Sequence, residues 1–299
     1  MGLKLNEISK KFGDFTAVHP LTLDIPESEI YGFLGGNGAG KTTTFRMILG
    51  LIDSTSGNIT WRGEKINHLT SDLVGYLPEE RGLYPKLKVK EQLTYLGRLR
   101  GMSKKAAEKE IIAWLEKFEV PHYLNKKVEE LSKGNQQKIQ FISSVLHKPK
   151  LLILDEPFSG LDPLNVEMLK KATYDLKKAG TTIIFSSHQM SLVEEMCEYL
   201  CILQKGRAVV QGNLTDIKHE YGRKSLIIHA NANLEYLKEH IGVVTYRPLR
   251  NGCELQIENE DVAKDIFAEL KSEQFIKKFE LEEPTLNDIF IEKVGAEYE

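Results

Sequence analysis

The sequence predicts an α/β fold followed by a small α+β domain. An apolar segment that begins at Ile30 runs into a glycine-rich loop and then into a helix-forming segment. The continuous apolar run Leu151–Leu154 is typical of a central strand in a parallel sheet. After about residue 221 the pattern changes to short strands and helices. With 299 residues and 41% hydrophobic content, the chain is long enough for one large domain and one smaller one.

The segment from Ile30 to Thr44 contains the pattern of a phosphate-binding loop. The fixed positions of G-x-x-x-x-G-K-[ST] are occupied by Gly35, Gly40, Lys41 and Thr42. Glycines let the backbone turn so that its N–H groups point at a polyphosphate, and the following helix adds the positive end of its dipole. Lys41 can reach the β- and γ-phosphates, and the Thr42 hydroxyl can ligate Mg²⁺. A chance glycine-rich turn is the alternative, but the strand–loop–helix context favours phosphate binding.

Two adjacent acids, Asp155 and Glu156, follow the predicted central strand. Ligands bind at the carboxyl ends of strands in open α/β sheets. Asp155 can hold Mg²⁺ directly or through water, and Glu156 can polarise an attacking water. His188 ends another predicted buried strand, Thr181–Phe185, from which it could sense the γ-phosphate. A lone histidine is usually structural, but its place at the end of a central strand favours a functional role.

The other elements of the first domain follow from residue periodicity. Strands are predicted at Leu3–Ile8, as an edge strand, at Leu21–Ile25 and at Gly57–Arg62. From Val89 to about Val120 the spacing is helical, and no strand is predicted there. This region is therefore interpreted as an all-helical insert, with one apolar face formed by Leu93, Leu96 and Leu99.

Three segments have two interpretations each. Phe12, in a predicted turn, could stack on a base or pack on the sheet. The stretch 74–85 ends in a loop with Glu79, Glu80 and Arg81, which could bind a ligand or be solvated. Ser132 precedes a predicted helix, so its segment could bind phosphate or only cap the helix.

The remainder of the chain has the order βαββαβ, which suggests a ferredoxin-like domain. Its predicted elements are the strands Leu226–His229, Val243–Tyr246, Glu254–Ile257 and Phe275–Leu281 and the helices Leu234–His240 and Asp261–Leu270. Thr285 and Asp288 are expected to cap a last helix. No residue here carries evident chemistry, so a regulatory or docking module is the expectation.

The composition of the chain argues against several classes of function. The net charge is -3, and Lys and Arg are spread along the chain, so no nucleic-acid partner is expected. No apolar run approaches the length of a membrane span, and the first residues lack a signal-peptide core and a myristoylation pattern. The three cysteines form no metal-ligand pattern and are expected to be reduced and buried. A cytosolic protein is expected, held at any membrane by a partner.

Taken together in order, these motifs resemble those of the ATP-binding subunit of an ABC transporter, over about residues 1–215. Gly35–Thr42 resembles its Walker A loop, and Leu151–Glu156 resembles its Walker B strand with the catalytic glutamate. Ser159–Asp162 is similar to the D-loop, Leu131–Gln137 to the LSGGQ signature, and about residues 87–147 to the helical subdomain. The resemblance implies a P-loop NTPase fold of the ABC type, with an antiparallel β subdomain and a helical insert, and an accessory α+β domain over residues 221–299.

The family resemblance implies a role for each matching position. His188 would be the switch histidine, Phe12 the adenine-stacking aromatic, and Glu79 would occupy the place of the Q-loop glutamine. Glu156 would be the general base, Lys41 the charge stabiliser, and Thr42, Asp155 and Glu79 the Mg²⁺ ligands. The ATP-binding positions would be Phe12, Gly35, Asn37, Gly38, Ala39, Gly40, Lys41, Thr42, Thr43, Glu79, Ser132, Gly134, Asn135 and Asp162.

Several positions depart from the family pattern. Lys133 stands where the signature usually has Gly, Asn135 where it has Gln, and Gly36 where Walker A commonly has Pro. Glu79 replaces a glutamine, which puts the coupling to a partner in doubt. Ser132 and Gly134, which are expected to meet the γ-phosphate, are kept.

The resemblance also implies partners. Two copies would form a head-to-tail dimer around two ATP molecules, peripheral to the cytoplasmic face of the membrane through a separate permease. A cytoplasmic helix of the permease would sit between the loop 79–85, which includes Arg81, and the helical insert. The stretch GYLPEERGLYP and the ending EPTLNDIF resemble the subfamily of sodium-extrusion and drug-export ATPases, so export is favoured.

Rival interpretations belong to other classes. A soluble translation factor built from such ATPases would carry two phosphate loops, and a chromosome or DNA-repair ATPase would carry long heptad runs; neither is present. A nucleotide-dependent interaction module with little hydrolysis stays open because the signature is altered.

Overall fold

The computed structural model describes residues 2–66, 73–80, 82–221, 224–231, 233–270 and 275–295. The chain forms two compact units, Met1–Gly212 and Asn213–Glu299. The strands are β1 (Leu3–Phe12), β2 (Phe15–Ile25), β3 (Ile30–Leu34), β4 (Ser56–Trp61), β5 (Glu64–Lys65), β6 (Val74–Leu77), β7 (Leu151–Leu154), β8 (Thr182–Ser186), β9 (Tyr199–Gln204), β10 (Arg207–Asn213), β11 (Lys224–Ala230), β12 (Val243–Leu249), β13 (Gly252–Ile257) and β14 (Ile276–Glu282). The α-helices are α1 (Lys41–Ile48), α2 (Val89–Leu99), α3 (Lys104–Lys117), α4 (Lys133–Val145), α5 (Pro163–Lys178), α6 (Met190–Met196), α7 (Leu214–Tyr221), α8 (Glu260–Leu270) and α9 (Leu286–Phe290).

The first unit is built on a six-stranded sheet with the order β10-β9-β3-β8-β7-β6. The pairs β9–β3, β3–β8, β8–β7 and β7–β6 are all parallel. Every residue of β3, β7 and β8 is buried, as the continuous apolar runs predict. Because these strands are parallel, their carboxyl ends meet at one edge of the sheet. The phosphate-binding loop, the acid pair and the histidine are therefore brought together there.

A second, antiparallel sheet has the order β2-β1-β4-β5. The prediction of an edge strand at Leu3–Ile8 was wrong, because β1 extends to Phe12 and lies between β2 and β4. Leu3 and Leu5 are fully buried in the hydrophobic core that this sheet shares with the parallel one. The predicted antiparallel subdomain is thus present, and only Gly13 and Asp14 form the turn that follows β1.

The predicted helical insert is formed by α2, α3 and α4. Ser103 caps α3, since its hydroxyl accepts a hydrogen bond from the Ala106 N–H at 3.2 Å. Leu93 is fully buried, but Leu99 is 63% exposed, so the predicted apolar face ends before the last turn of α2. The helix is followed by a turn at Gly101 with positive φ, which leaves Leu99 at a solvent-facing end.

The second unit contains a four-stranded sheet with the order β12-β13-β11-β14, in which every pair is antiparallel. Its sequence order of strands is that of the predicted βαββαβ arrangement. The predicted helix at Leu234–His240 was wrong as an α-helix. Glu235–Glu239 form only a short 3₁₀ helix, because the chain returns to extended backbone at His240. Thr285 and Asp288 form the predicted capping box of α9.

Candidate functional site

A cleft of about 740 Å³ lies at the carboxyl ends of β3, β7 and β8. Its floor is the glycine-rich loop, and acidic and imidazole side chains face that loop. The lining residues are Phe15, Ala17, Gly35, Gly36, Asn37, Gly38, Ala39, Gly40, Lys41, Thr42, Thr43, Glu79, Asp155, Glu156 and His188. Most of the residues predicted from the sequence to bind a nucleotide are therefore gathered around one cavity.

Glycine is required at two positions of the loop. Gly35 has φ +149°, and a Cβ there would lie 2.5 Å from the Leu203 carbonyl oxygen. Gly40 has φ +103°, and a Cβ there would lie 2.8 Å from the Ala17 carbonyl oxygen. Helix α1 begins immediately afterwards at Lys41, with no acidic residue in its first turn. The free N–H groups and the dipole of this helix thus face the cleft without a competing carboxylate.

The Lys41 side chain folds back over the loop. Its Nζ donates hydrogen bonds to the carbonyl oxygens of Gly35, at 2.6 Å, and of Gly36, at 3.2 Å. The ammonium group therefore lies within the cleft, where an anionic phosphate would replace the neutral carbonyl partners with stronger charged ones.

Asp155 is an almost fully buried carboxylate at the end of β7. It is 1% exposed, and its Oδ2 accepts a hydrogen bond from Thr42 Oγ1 at 3.3 Å. Its Oδ1 accepts a second one from Ser186 Oγ at 2.6 Å. Burial, followed by the charge of Asp155, raises the pKa of the nearby Tyr76 to about 12, so this phenol stays neutral.

Both the main chain and the side chain of Glu156 contact residues at the end of β8. Its main-chain N–H donates to Ser186 Oγ at 2.9 Å, and its Oε2 lies 2.9 Å from His188 Nδ1. Its φ of +49° is in the left-handed region, which a residue other than glycine rarely adopts. The glutamate side chain is 10% exposed, whereas His188 is 65% exposed. Glu156 is thus the more deeply buried of the two residues, and both line the cleft.

Phe12, the residue predicted to stack on adenine, has a second aromatic residue beside it in the structure. Phe12 does not line the cleft; Lys10 Nζ lies 5.1 Å from its ring centroid, and more than half of the side chain is exposed. Phe15 does line the cleft. The two phenylalanines are directly paired across the β1–β2 hairpin, so their side chains lie on the same face of it.

The signature residues lie apart from this cleft. Ser132 caps α4 by accepting a hydrogen bond from the Asn135 N–H at 3.4 Å, and Asn135 Nδ2 donates to Ser132 Oγ at 3.1 Å. This geometry therefore fits both interpretations of the Ser132 segment, as the cap of α4 and as part of a phosphate-binding helix N-terminus. A Cβ on Gly134 would lie 3.1 Å from Asn165 Nδ2, so the signature segment adjoins the start of α5.

Asp162 caps α5. The main-chain N–H of Asn165 donates to Asp162 Oδ1 at 3.0 Å and, as the leading cause, lowers the pKa of that carboxyl. None of Ser132, Gly134, Asn135 and Asp162 lines the cleft. These four residues thus form a second surface, called here the signature surface.

Glu79 lines the cleft just beyond β6. The same segment is tied to the helical insert, because Gln140 Nε2 of α4 donates to the carbonyl oxygens of Pro78, at 3.1 Å, and Glu80, at 3.2 Å. Arg81, which the sequence placed at the partner contact, lies outside the described residues.

Sequence reasoning missed Ser186, Phe15 and Ala17, of which Phe15 and Ala17 line the cleft. Ser186 joins the ends of β7 and β8, and Phe15 provides an aromatic wall. The signal for Ser186 was its place in the Ser186-Ser187-His188 strand end, but its partners depend on strand order. The signal for Phe15 was the short turn, which pairs it with Phe12.

Comparison with known proteins identifies the family. Residues 18–159 match the model of the ABC transporter family, and residues 212–294 match the C-terminal domain described as ATP-binding protein DrrA1-3-like. The chain is 61% identical over 297 residues to YhaQ, an uncharacterised ABC transporter ATP-binding protein of Bacillus subtilis (strain 168), covering 99% of this chain and 100% of that protein. It is 31% identical over 305 residues to the linearmycin resistance ATP-binding protein LnrL of the same strain, covering 98% of each chain.

A solved ATP-binding subunit of an ABC transporter has the same fold. It superposes with a TM-score of 0.70 at 30% identity, and the match covers 74% of this chain and 94% of that one. The predicted ABC-type P-loop ATPase fold is therefore confirmed. By sequence along its full length and by fold, the chain belongs to the ATP-binding proteins of ABC transporters.

Proposed function

We propose that this chain hydrolyses ATP with Mg²⁺ to power export of a small molecule through a separate membrane permease. The observation that carries the proposal is the convergence of Lys41, Thr42, Asp155, Glu156 and His188 on one cleft floored by a glycine loop. Export is supported by the similarity of this chain, along its length, to the linearmycin resistance ATP-binding protein LnrL.

The residues around Thr42 fit a magnesium ion. The Thr42 hydroxyl and the Asp155 carboxylate are hard oxygen donors, which Mg²⁺ prefers, and they already lie 3.3 Å apart. Glu79 lines the same cleft and is the third proposed ligand. The described residues contain no cluster of three or more His, Cys, Asp or Glu side chains that could hold a metal. When bound, the ion would neutralise charge on the phosphates.

The remaining residues have separate roles in the proposed hydrolysis. Lys41 stabilises the negative charge on the β- and γ-phosphates, in place of the carbonyl oxygens that it binds here. Glu156 accepts a proton from the attacking water as general base. His188 contacts the Glu156 carboxylate, so it can orient that base and respond to the γ-phosphate. Phe12, with Phe15 beside it, provides a stacking face for adenine.

The separation of the two surfaces supports a head-to-tail dimer. Ser132, Gly134, Asn135 and Asp162 lie on the signature surface and not in the cleft. In the proposed dimer, each signature surface covers the γ-phosphate bound in the cleft of the other copy. ATP thereby links two subunits, whereas ADP lacks the group that reaches the second one, so hydrolysis releases the dimer.

An exposed apolar surface supports docking of the permease. Tyr84, Leu87, Tyr95 and Leu99 are exposed, and all lie between the cleft segment and the end of α2. Such side chains are typical of interaction sites when they are grouped. Among the described residues, no helix has the length and apolar character needed to cross a bilayer. We propose that the protein acts at the cytoplasmic face of the membrane, bound to its permease.

The test uses Glu156→Gln, which keeps size and removes the base. We expect this variant to bind ATP normally, to lose at least about 100-fold in turnover, and to accumulate as dimers with ATP. Glu116→Gln, on an exposed part of α3, is the matched control and is expected to behave as the wild type. Wild-type turnover by Glu156→Gln would overturn the role of Glu156. Detergent-solubilised membranes are then passed over ATP-loaded Glu156→Gln; recovery of soluble proteins only would overturn the permease assignment.

A further inference from the structure

The sheet of the second unit has two edges of different character. Strands β12 and β14 are its outer strands. Strand β12 carries Pro248, which lacks a main-chain N–H and disfavours pairing with another chain. Strand β14 is seven residues long, contains no proline, and pairs only with β11 among the described strands. Its one register shift lies between Ile276 and Lys278, so Lys278–Glu282 pair regularly with β11. Its outer edge is therefore a template for one further strand.

The charges along β14 are ordered. Lys277 and Lys278 precede Phe279, and Glu280 and Glu282 follow it. A strand with a basic first half and an acidic second half is complementary to an antiparallel copy of itself. A parallel copy would instead place like charges side by side.

The register on β11 shows which of these side chains share a face. Lys278 pairs with His229 and Glu280 pairs with Ile227, two residues apart, so Lys278 and Glu280 lie on one face of the sheet. Both are exposed, and they form an ion pair within one copy. Phe279 lies on the other face, packed against the buried core of this unit.

We propose that two copies of this chain associate through β14, paired antiparallel with Phe279 opposite Phe279. In this register Lys278 of each copy faces Glu280 of the other, and the four side chains form a ring of alternating charge. A two-fold axis perpendicular to the sheet makes the contact isologous and keeps the two sheet faces aligned. The sheets of both copies then form one continuous sheet.

Neighbouring registers are less favourable. A slip of two residues in one direction places Glu280 opposite Glu280, and the same slip in the other direction places Lys278 opposite Lys278. Slips of one residue place charged side chains on the face of the buried core. The proposed register is thus the one in which Lys278 and Glu280 face only opposite charges, whereas Glu282 faces Ile276 of the other copy.

This association does not depend on the proposed ATPase cycle. No residue of β14 lines the nucleotide cleft, so self-association is expected without nucleotide. A failure of this proposal is therefore separable from a failure of the ATP-dependent dimer, which requires nucleotide and Glu156→Gln.

Sedimentation equilibrium of the full chain without nucleotide tests the interface. We expect the wild type to be a reversible dimer and Lys278→Glu to dimerise about tenfold more weakly, because two pairs become repulsive. The double variant Lys278→Glu/Glu280→Lys is expected to return to within about twofold of the wild type. Lys264→Glu, an exposed site on α8 with the same change of charge, controls for net charge. A monomeric wild type, or a double variant as weak as the single one, would overturn the proposal.

Disulfide formation tests the register. Lys278→Cys mixed with Glu280→Cys is expected to give a cross-linked dimer under mild oxidation, and neither variant alone is expected to do so. The native cysteines are all buried and do not compete. Cross-linking of Lys278→Cys with itself would place lysine opposite lysine and overturn the register. Absence of a cross-link in the mixture would overturn the pairing.

Discussion

Ser186→Ala removes one hydroxyl from the join between β7 and β8. This hydroxyl donates to Asp155 Oδ1 at 2.6 Å and accepts from the Glu156 N–H at 2.9 Å. Ser186 itself is fully buried, so water cannot easily replace the lost group. The substitution leaves a buried carboxylate oxygen and a main-chain N–H each without this partner.

The two lost hydrogen bonds set the size of the effect. A hydrogen bond to a charged group contributes about 1.5–3 kcal/mol and a neutral one about 1 kcal/mol, so we expect the free energy of unfolding to fall by about 3 kcal/mol. With a denaturant slope of roughly 2–3 kcal/mol per molar urea, the midpoint should fall by about 1 M. We also expect turnover to fall, because Glu156 and Asp155 lose their common support.

Urea unfolding followed by tryptophan fluorescence measures this change in the relevant unit. The chain has two tryptophans, Trp61 and Trp114, and both belong to the first unit. Ser187→Ala is the matched control: among the described residues, this neighbouring buried hydroxyl accepts one hydrogen bond, from the Gln189 N–H at 3.0 Å, so we expect a loss of about 1 kcal/mol. If the two variants unfold at the same urea concentration, the bridging role of Ser186 is refuted.

Three further predictions concern packing, thiols and metal. Gly75→Ala should lower the free energy of unfolding by about 2 kcal/mol or more, because its Cβ would lie 2.2 Å from a carbonyl oxygen of α4. Gly82→Ala is the control: a Cβ there would meet open space, so stability in urea should change little. Burial raises the pKa of Cys201 to about 12 and that of Cys253 to about 11, so both stay protonated at pH 8 and should resist a disulfide reagent until urea unfolds the chain. Glu79→Gln should raise the Mg²⁺ concentration for half-maximal ATPase about fivefold, equivalent to roughly 1 kcal/mol, if this carboxylate reaches the metal; an unchanged Mg²⁺ titration would exclude it as a ligand.

The parts of the site that sequence predicts are those with local spacing. Lys41 and Thr42 follow their glycine loop directly, and Asp155 follows its apolar strand, so each is positioned by its immediate neighbours. Contacts that depend on the order of the strands in a sheet could not be predicted in this way. The interior position of β1 requires β4, whose pairing residues lie some fifty residues away, and Phe15 enters the cleft only because β2 returns beside β1.

Glu156 combines an unfavourable backbone conformation with stabilising contacts to residues that are distant in sequence. Its left-handed backbone costs roughly 1–2 kcal/mol relative to ordinary regions. Its carbonyl oxygen accepts one local hydrogen bond, from the Ser159 N–H at 3.2 Å. Further support comes from the end of β8 and the residues after it: Ser186 binds the Glu156 N–H, and His188 contacts the Glu156 carboxylate. Because Ser186 also binds Asp155, one strand end positions both the proposed general base and the proposed metal ligand. A change in the spacing between Ser186 and His188 should therefore disturb both functions together, although neither residue is adjacent to the acids in sequence.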